Sequence, residues 1–122
     1  MKILLVDDDL ALCSILKMEL EDNDHKVDLA HDSTLGKKKA FENKYDFIIL
    51  DIILPGINGF ELCKKIRNVV KAPILMLTSL GLIEDRVKGF NCGADGYLSK
   101  PFNFHELHNR ITELHKWHQL AE

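Results

Sequence analysis

The chain has 122 residues, 46% hydrophobic and 29% charged, the size and balance of one folded domain rather than a disordered chain. A net charge of -3 offers no basic surface to a phosphate backbone, so direct nucleic-acid binding is not expected. No apolar run approaches the roughly 18 residues of a membrane span and no signal-peptide pattern opens the chain, so a cytoplasmic protein with no membrane partner is expected.

In chain order, Lys2–Val6 is a continuous apolar run, as in a strand covered on both faces. Asp7, Asp8 and Asp9 follow, and then Leu12, Ile15, Leu16 and Leu20 recur at helical spacing. Val27–Ala30 forms a second, weaker strand suited to a sheet edge. A helix from about Thr34 to Asn43 is expected to turn Leu35 and Phe41 inward and Lys37–Lys39 outward. Phe47–Leu50 is the most apolar run and so the central strand. Phe60, Cys63 and Ile66 mark a third helix, and Pro73 precedes a fourth strand, Ile74–Leu77. Ile83, Val87 and Phe90 predict a fourth helix that stops at Cys92–Gly93, where glycine can take the left-handed conformation. Tyr97 and Leu98 give a fifth strand, and Leu107, Ile111 and Leu114 a last helix.

Five strand–helix units with short connections predict an α/β fold, a doubly wound parallel sheet with helices on both faces, as one domain over residues 1–122. Cys13, Cys63 and Cys92 are widely spaced and odd in number, which fits buried thiols in a reducing compartment. Neither a CxxC spacing nor an activating basic neighbour marks any of them, so no functional cysteine is expected.

Ligands of such sheets bind beyond the carboxyl ends of the strands. Those ends carry Asp7, Asp8 and Asp9 after strand one, Asp51 after strand three, Thr78 and Ser79 after strand four, and Lys100–Pro101 after strand five. Carboxylates about 5 Å apart repel by roughly 3 kcal/mol per pair at an effective dielectric near 20, so a cation or a raised pKa must offset them. Hard oxygen ligands with open positions suit Mg²⁺. A carboxylate nucleophile, a divalent-cation site, a lysine and a hydroxyl donor make a phosphoryl-transfer set without a glycine-rich nucleotide loop.

The segments LLVDDD, YDFIILDIILPGINGFEL, ILMLTS and GADGYLSKPF, in this order, resemble the receiver domains of two-component response regulators across essentially the whole chain. The resemblance implies a flavodoxin-like sheet of strand order 2-1-3-4-5 with five helices. It implies that Asp51 accepts a phosphoryl group from a sensor histidine kinase or phosphotransfer protein, making the chain a phosphoacceptor switch rather than an enzyme. Asp8 would ligate Mg²⁺ directly and Asp7 through water, with the Ile53 carbonyl completing the protein ligands and Mn²⁺ able to replace the ion. Lys100 and Thr78 would bind phosphoryl oxygens, Tyr97 would move inward with Thr78, and Lys100–Pro101 would be cis.

Other residues have plainer readings. Asp9 reads as the N-cap of the first helix. For Tyr97 the plainer reading, set second to the switch role, is a static core aromatic. Lys37–Lys39 reads as a solvated face, and so does the helix bearing His105, His108, His115 and His118. Gly56 and Gly59 read as turn residues. Where related receivers carry polar or variable residues, this chain has Ile53 and Leu80, which would flank the path of an attacking water and prolong the phosphoryl adduct. The apolar stretch Leu80–Ile83 reads either as the start of a helix core or as a partner contact.

The segments EDRVKGF and GADGYLSKPF resemble the receivers of winged-helix transcriptional regulators, which implies an output domain outside this chain. In that class the fourth helix, fifth strand and last helix form a dimer surface. Arg86, Asp95, Glu106 and Arg110 fall at matching places, whereas Gly96 and Thr112 break the charged set. A stand-alone receiver, relaying phosphate or binding a protein target, is the alternative. A phosphohydrolase of the haloacid-dehalogenase kind also uses an aspartyl nucleophile, but its pattern has a second acid where this chain has Ile53.

Overall fold

The computed structural model describes residues 1–79 and 92–121. The predicted fourth helix, with Leu80, Ile83, Arg86, Val87 and Phe90, lies outside the described residues. The elements are β1 (Lys2–Val6), α1 (Leu10–Asp22), β2 (Lys26–Ala30), α2 (Ser33–Glu42), β3 (Phe47–Asp51), α3 (Gly59–Arg67), β4 (Ile74–Thr78), β5 (Gly96–Ser99) and the C-terminal helix α4 (Phe104–Ala121). The sheet runs β2-β1-β3-β4-β5 with every pair parallel, as expected.

Alternation along the strands divides the core into two layers. Leu4, Val6, Ile48, Leu50, Ile74, Met76 and Tyr97 share one cluster with Leu62, Cys63 and Ile66 of α3 and Ala40 of α2. Ile3, Leu5, Phe47, Ile49, Leu75 and Leu77 share the other with Cys13, Leu16 and Leu20 of α1 and Leu107 and Ile111 of α4. β3 and β4 are buried at every position, which their unbroken apolar runs required.

Helix orientation departs from the sequence reading in two places. In α2, Leu35 and Phe41 are 37% and 43% exposed, and Ser33, Gly36 and Ala40 face the sheet instead. A Cβ on Gly36 would lie 2.9 Å from Val6 Cγ1, so this helix lies too close to the sheet for large side chains on that face. In α1, Ile15 is exposed because the inward stripe is Cys13, Leu16 and Leu20. Asp9 is the N-cap of α1, its carboxylate accepting from Leu12 N–H at 3.0 Å.

Lysines reach the outer strand from both layers. Lys17 Nζ of α1 donates to Val27 O at 2.9 Å, and Lys39 Nζ of α2 donates to Leu29 O at 2.7 Å. Lys39 is therefore half-buried rather than part of a fully solvated face.

A histidine pair joins the start of β2 to α4, so the α4 histidines are not all on a solvated face. His25 Nε2 lies 3.3 Å from His108 Nε2, His25 Nδ1 lies 3.1 Å from the Met1 ammonium, and Phe104 stacks on His108. Burial, then the Met1 ammonium and His108, with a smaller push from His115, hold His25 below its ordinary 6.5, against Asp24. The unfolded chain thus takes up this proton more readily, and the stability contributed by neutral His25 is lost as pH falls below 6.5. His25→Gln should flatten the acid side of the stability profile, read as urea midpoints across that range; an unchanged slope would discount the pair.

Candidate functional site

The chain emerges from β1 directly into Asp7, whose N–H donates to Ala30 O of β2 at 3.0 Å. Asp7 is fully buried, and both its oxygens are engaged. Oδ1 accepts from Asp9 N–H at 2.9 Å and Oδ2 from Lys100 Nζ at 2.9 Å. Asp51 is the last residue of β3 and only 5% exposed, with its Oδ2 3.3 Å from Lys100 Nζ and its Oδ1 3.4 Å from Ile53 N. Asp8 is exposed beside them. One oxygen from each of Asp7, Asp8 and Asp51 lies within 4.8 Å of the others.

Lys100 enters from the far side of the cluster. Its N–H donates to Thr78 O at 2.6 Å, which extends the β4–β5 pairing past Ser99 and aims the side chain across the strand ends. The Lys100–Pro101 peptide is cis, as expected. Thr78 is fully buried at the end of β4, and Tyr97 of β5 is 7% exposed with its ring in the α3-side cluster. The sheet thus gathers Asp7, Asp8, Asp51, Thr78 and Lys100 from the ends of four strands.

The electrostatics follow from burial. Desolvation, then the charge of Asp7, pushes Asp51 from its ordinary 3.8 up to about 6, although Lys100 and the Ile53 N–H pull the other way. Burial acts to lower Lys100, but the Asp7 hydrogen bond and the charges of Asp51 and Asp7 outweigh it, so its pKa is raised. With all three carboxylates ionised, one lysine leaves two negative charges, which a single divalent cation would balance. The donors are carboxylate oxygens, one of them on an exposed residue, which suits a hard ion that keeps part of its water.

The loop after Asp51 is held by Gly56 and Gly59 and by Ser33, which the sequence did not single out. Ser33 is 2% exposed; its N–H and its Oγ both donate to Pro55 O, at 3.1 and 3.0 Å, and Oγ accepts from Ile57 N–H at 2.9 Å. Gly59 N–H donates to Ile52 O at 2.7 Å, and a Cβ there would collide with the Asp51 carbonyl. Gly56 has φ +90°, which favours glycine. The two glycines were visible as turn residues, but no local pattern marks Ser33, which acts across 22 residues. Ile53, carried by this loop, is 55% exposed at the rim.

Three of the four charged residues expected on a dimer surface lie among the described residues. Glu106 and Arg110 are exposed on α4, and Arg86 lies outside the described residues. Asp95 Oδ2 is held within the chain by Arg67 Nη2 at 2.6 Å and by Ile74 N–H at 2.8 Å.

The profile of the response regulator receiver domain matches residues 3–112. Response regulator ArlR of Staphylococcus saprophyticus is 43% identical over 113 residues, covering 93% of this chain and 51% of that protein. The ArlR of Staphylococcus haemolyticus is 41% identical over 109 residues, covering 89% and 50%. The chain thus spans about half the length of these relatives. A two-component response regulator from Clostridium difficile superposes with a TM-score of 0.90 at 40% identity, covering 93% of each chain. A CheY-like receiver from Methanospirillum hungatei gives 0.95 at 30% identity, covering 99% of this chain and 98% of the other. TrrA of Thermotoga maritima, solved in complex with Mg²⁺-BeF, gives 0.84 at 36% identity, covering 93% and 97%.

Because the folded pKa of Asp51 lies above its ordinary value, the protonated form contributes stability below pH 3.8 that is lost as pH rises through about 6. Asp51→Asn removes that cost. With a chelator present at neutral pH, this variant should be more stable than the parent by ~2–3 kcal/mol, the gap closing towards acid. Equal urea midpoints at neutral pH would contradict it. The trend is opposite in sign to that of His25, so the two single variants separate the contributions.

Proposed function

The chain belongs to the response regulator receiver family of two-component systems, and on that footing we propose that Asp51 takes a phosphoryl group from the phosphohistidine of a sensor kinase or phosphotransfer protein. The observation that carries this reading is one ammonium, Lys100, hydrogen-bonded to both Asp7 and Asp51 while Asp8 completes a three-carboxylate cluster. An Asp51 oxygen attacks phosphorus as the P–N bond breaks, and the imidazole leaves with the electron pair. Lys100 transfers part of its interaction to a phosphoryl oxygen, and the Thr78 hydroxyl donates to another.

Mg²⁺, or Mn²⁺ in its place, would be held by Asp8, Asp51 and the Ile53 carbonyl, with Asp7 acting through water. When bound, the ion neutralises charge shared between the carboxylates and the incoming phosphoryl oxygens. In support, both Asp7 oxygens already accept hydrogen bonds, whereas Asp8 is exposed. TrrA, a relative at 36% identity, was solved with Mg²⁺-BeF.

The output is a switch rather than a turnover reaction. Thr78 and Tyr97 would report the phosphoryl group to the face formed by the predicted fourth helix, β5 and α4. The EDRVKGF and GADGYLSKPF segments favour a transcriptional output through a DNA-binding domain that is not in this chain. A single-domain receiver in a phosphorelay is the second reading. A homodimer through that face would use Arg86, Glu106 and Arg110; Asp95 would first have to leave Arg67. Among the described residues no helix is long and apolar enough to cross a membrane.

Acetyl phosphate with Mg²⁺ should add one phosphoryl group by intact mass, and Asp51→Asn should add none. Equal labelling of that variant would falsify the assignment. Ile53 is exposed at the rim, where it would shield the adduct together with Leu80. Ile53→Asn with Leu80→Glu should release phosphate on the order of tenfold faster, equal to about 1.4 kcal/mol off the barrier. An unchanged half-life of the purified phosphoprotein would remove the screening role.

A further inference from the structure

Two of the three cysteines meet at a place remote in sequence. Cys63 projects from the inner face of α3 and is fully buried, and Cys92 lies at the turn before β5 and is 3% exposed. Both are free thiols of the same core cluster. Cys63 Sγ donates to Cys92 O at 3.5 Å, so the Cys63 side chain reaches the Cys92 backbone inside that cluster. Cys13 lies in the other layer, where its thiol donates to Asp7 O.

The surroundings of the pair are unequal. Cys92 lines a surface cavity of about 330 Å³ with Lys64, Arg67, Asn68 and Gly93, so two basic side chains stand at its wall. Hydrogen bonding from Cys63, together with the N–H groups of Ala94 and Cys92 and the charge of Lys64, lowers the Cys92 thiol against the effect of burial. The same hydrogen bond, and then burial, push Cys63 up. Burial, and then the charges of Asp7 and Asp9, push Cys13 up to about 12 and leave it inert. A cysteine lining a cavity walled by Lys64 and Arg67, with a second thiol 3.5 Å from its own carbonyl, is the arrangement of a peroxide-reactive cysteine and its resolving partner.

We propose that Cys63 and Cys92 form a reversible dithiol–disulfide couple, oxidised by hydrogen peroxide arriving through the Lys64–Arg67 cavity, that ties α3 to the turn before β5. The Cys92 thiolate attacks one peroxide oxygen and the O–O bond breaks. Hydroxide leaves and takes up a proton to become water, and Cys92 is left as a sulfenic acid, oxidised by two electrons. Cys63 sulfur, as its proton departs, attacks the Cys92 sulfur; the S–S bond forms, the S–O bond breaks and a second water leaves. Two thiols and one peroxide thus become one disulfide and two waters. A dithiol reverses the reaction by exchange. The staple would span residues 63–92, enclosing β4 and Thr78, with α3 seated at its other end on the Asp51–Ile52 backbone through Gly59.

The experiment treats the whole chain with hydrogen peroxide, unfolds it in urea with iodoacetamide, and maps peptides by mass. The expected parent product has lost two hydrogens, labels only Cys13, yields a linked Cys63–Cys92 peptide from monomers, and recovers all three labels after dithiothreitol. Labelling of all three thiols after peroxide, or links only between molecules, overturns the proposal without need of any variant. The order of attack is read with dimedone, which traps sulfenic acids. Cys63→Ala should accumulate the adduct on Cys92, and Cys92→Ala should give none on Cys63; the reverse pattern overturns the roles assigned to the pair.

Discussion

Lys100 is the group on which the functional end of the sheet depends. Parallel pairing delivers Asp7 and Asp51 from adjacent strands, and at their separation two buried charges would repel by several kcal/mol. The ammonium contacts both, and its backbone N–H is fastened to Thr78 O, so the group that offsets the repulsion is itself fixed by the hydroxyl-bearing strand. The offset is partial. Asp51 keeps a raised pKa, from burial first and then from the Asp7 charge, against the pull of Lys100. Such a site suits a divalent cation, which on the proposed reading an anionic adduct would share.

The loop after Asp51 has a second kind of support, which would hold the Ile53 carbonyl still in the role proposed for it beside Asp51. Two small residues provide it. Gly59 lets α3 begin against the Asp51 and Ile52 backbone, and Ser33 draws the Pro55–Ile57 turn onto α2. α2 therefore takes part in the site although it brings no charge to it.

The sequence was most informative where chemistry and element type coincide. Unbroken apolar runs ending in Asp51 and Thr78 identified central strands and their carboxyl ends together, because burial on both faces leaves only the last residues free to be polar. Helix faces were harder. Leu35 and Phe41 looked inward on hydrophobicity alone, yet the closeness of α2 to Val6 selects Gly36 and Ala40. Ser33, the His25–His108 contact and the Cys63–Cys92 contact all join residues distant in the chain. No window of sequence contains both partners, so their roles emerge only from the packing.

Lys17 of α1 and Lys39 of α2, which donate to β2 carbonyls, have a consequence for assembly. Lys26 N and Ala30 O are bonded towards β1, so Val27 O and Leu29 O, one residue out of phase, point away from the sheet. Those two carbonyls are what a foreign strand would need in order to dock alongside, and Lys17 and Lys39 occupy them from opposite layers. The chain guards that rim with its own cations, so copies cannot extend one another's sheets there without first stripping both lysines away.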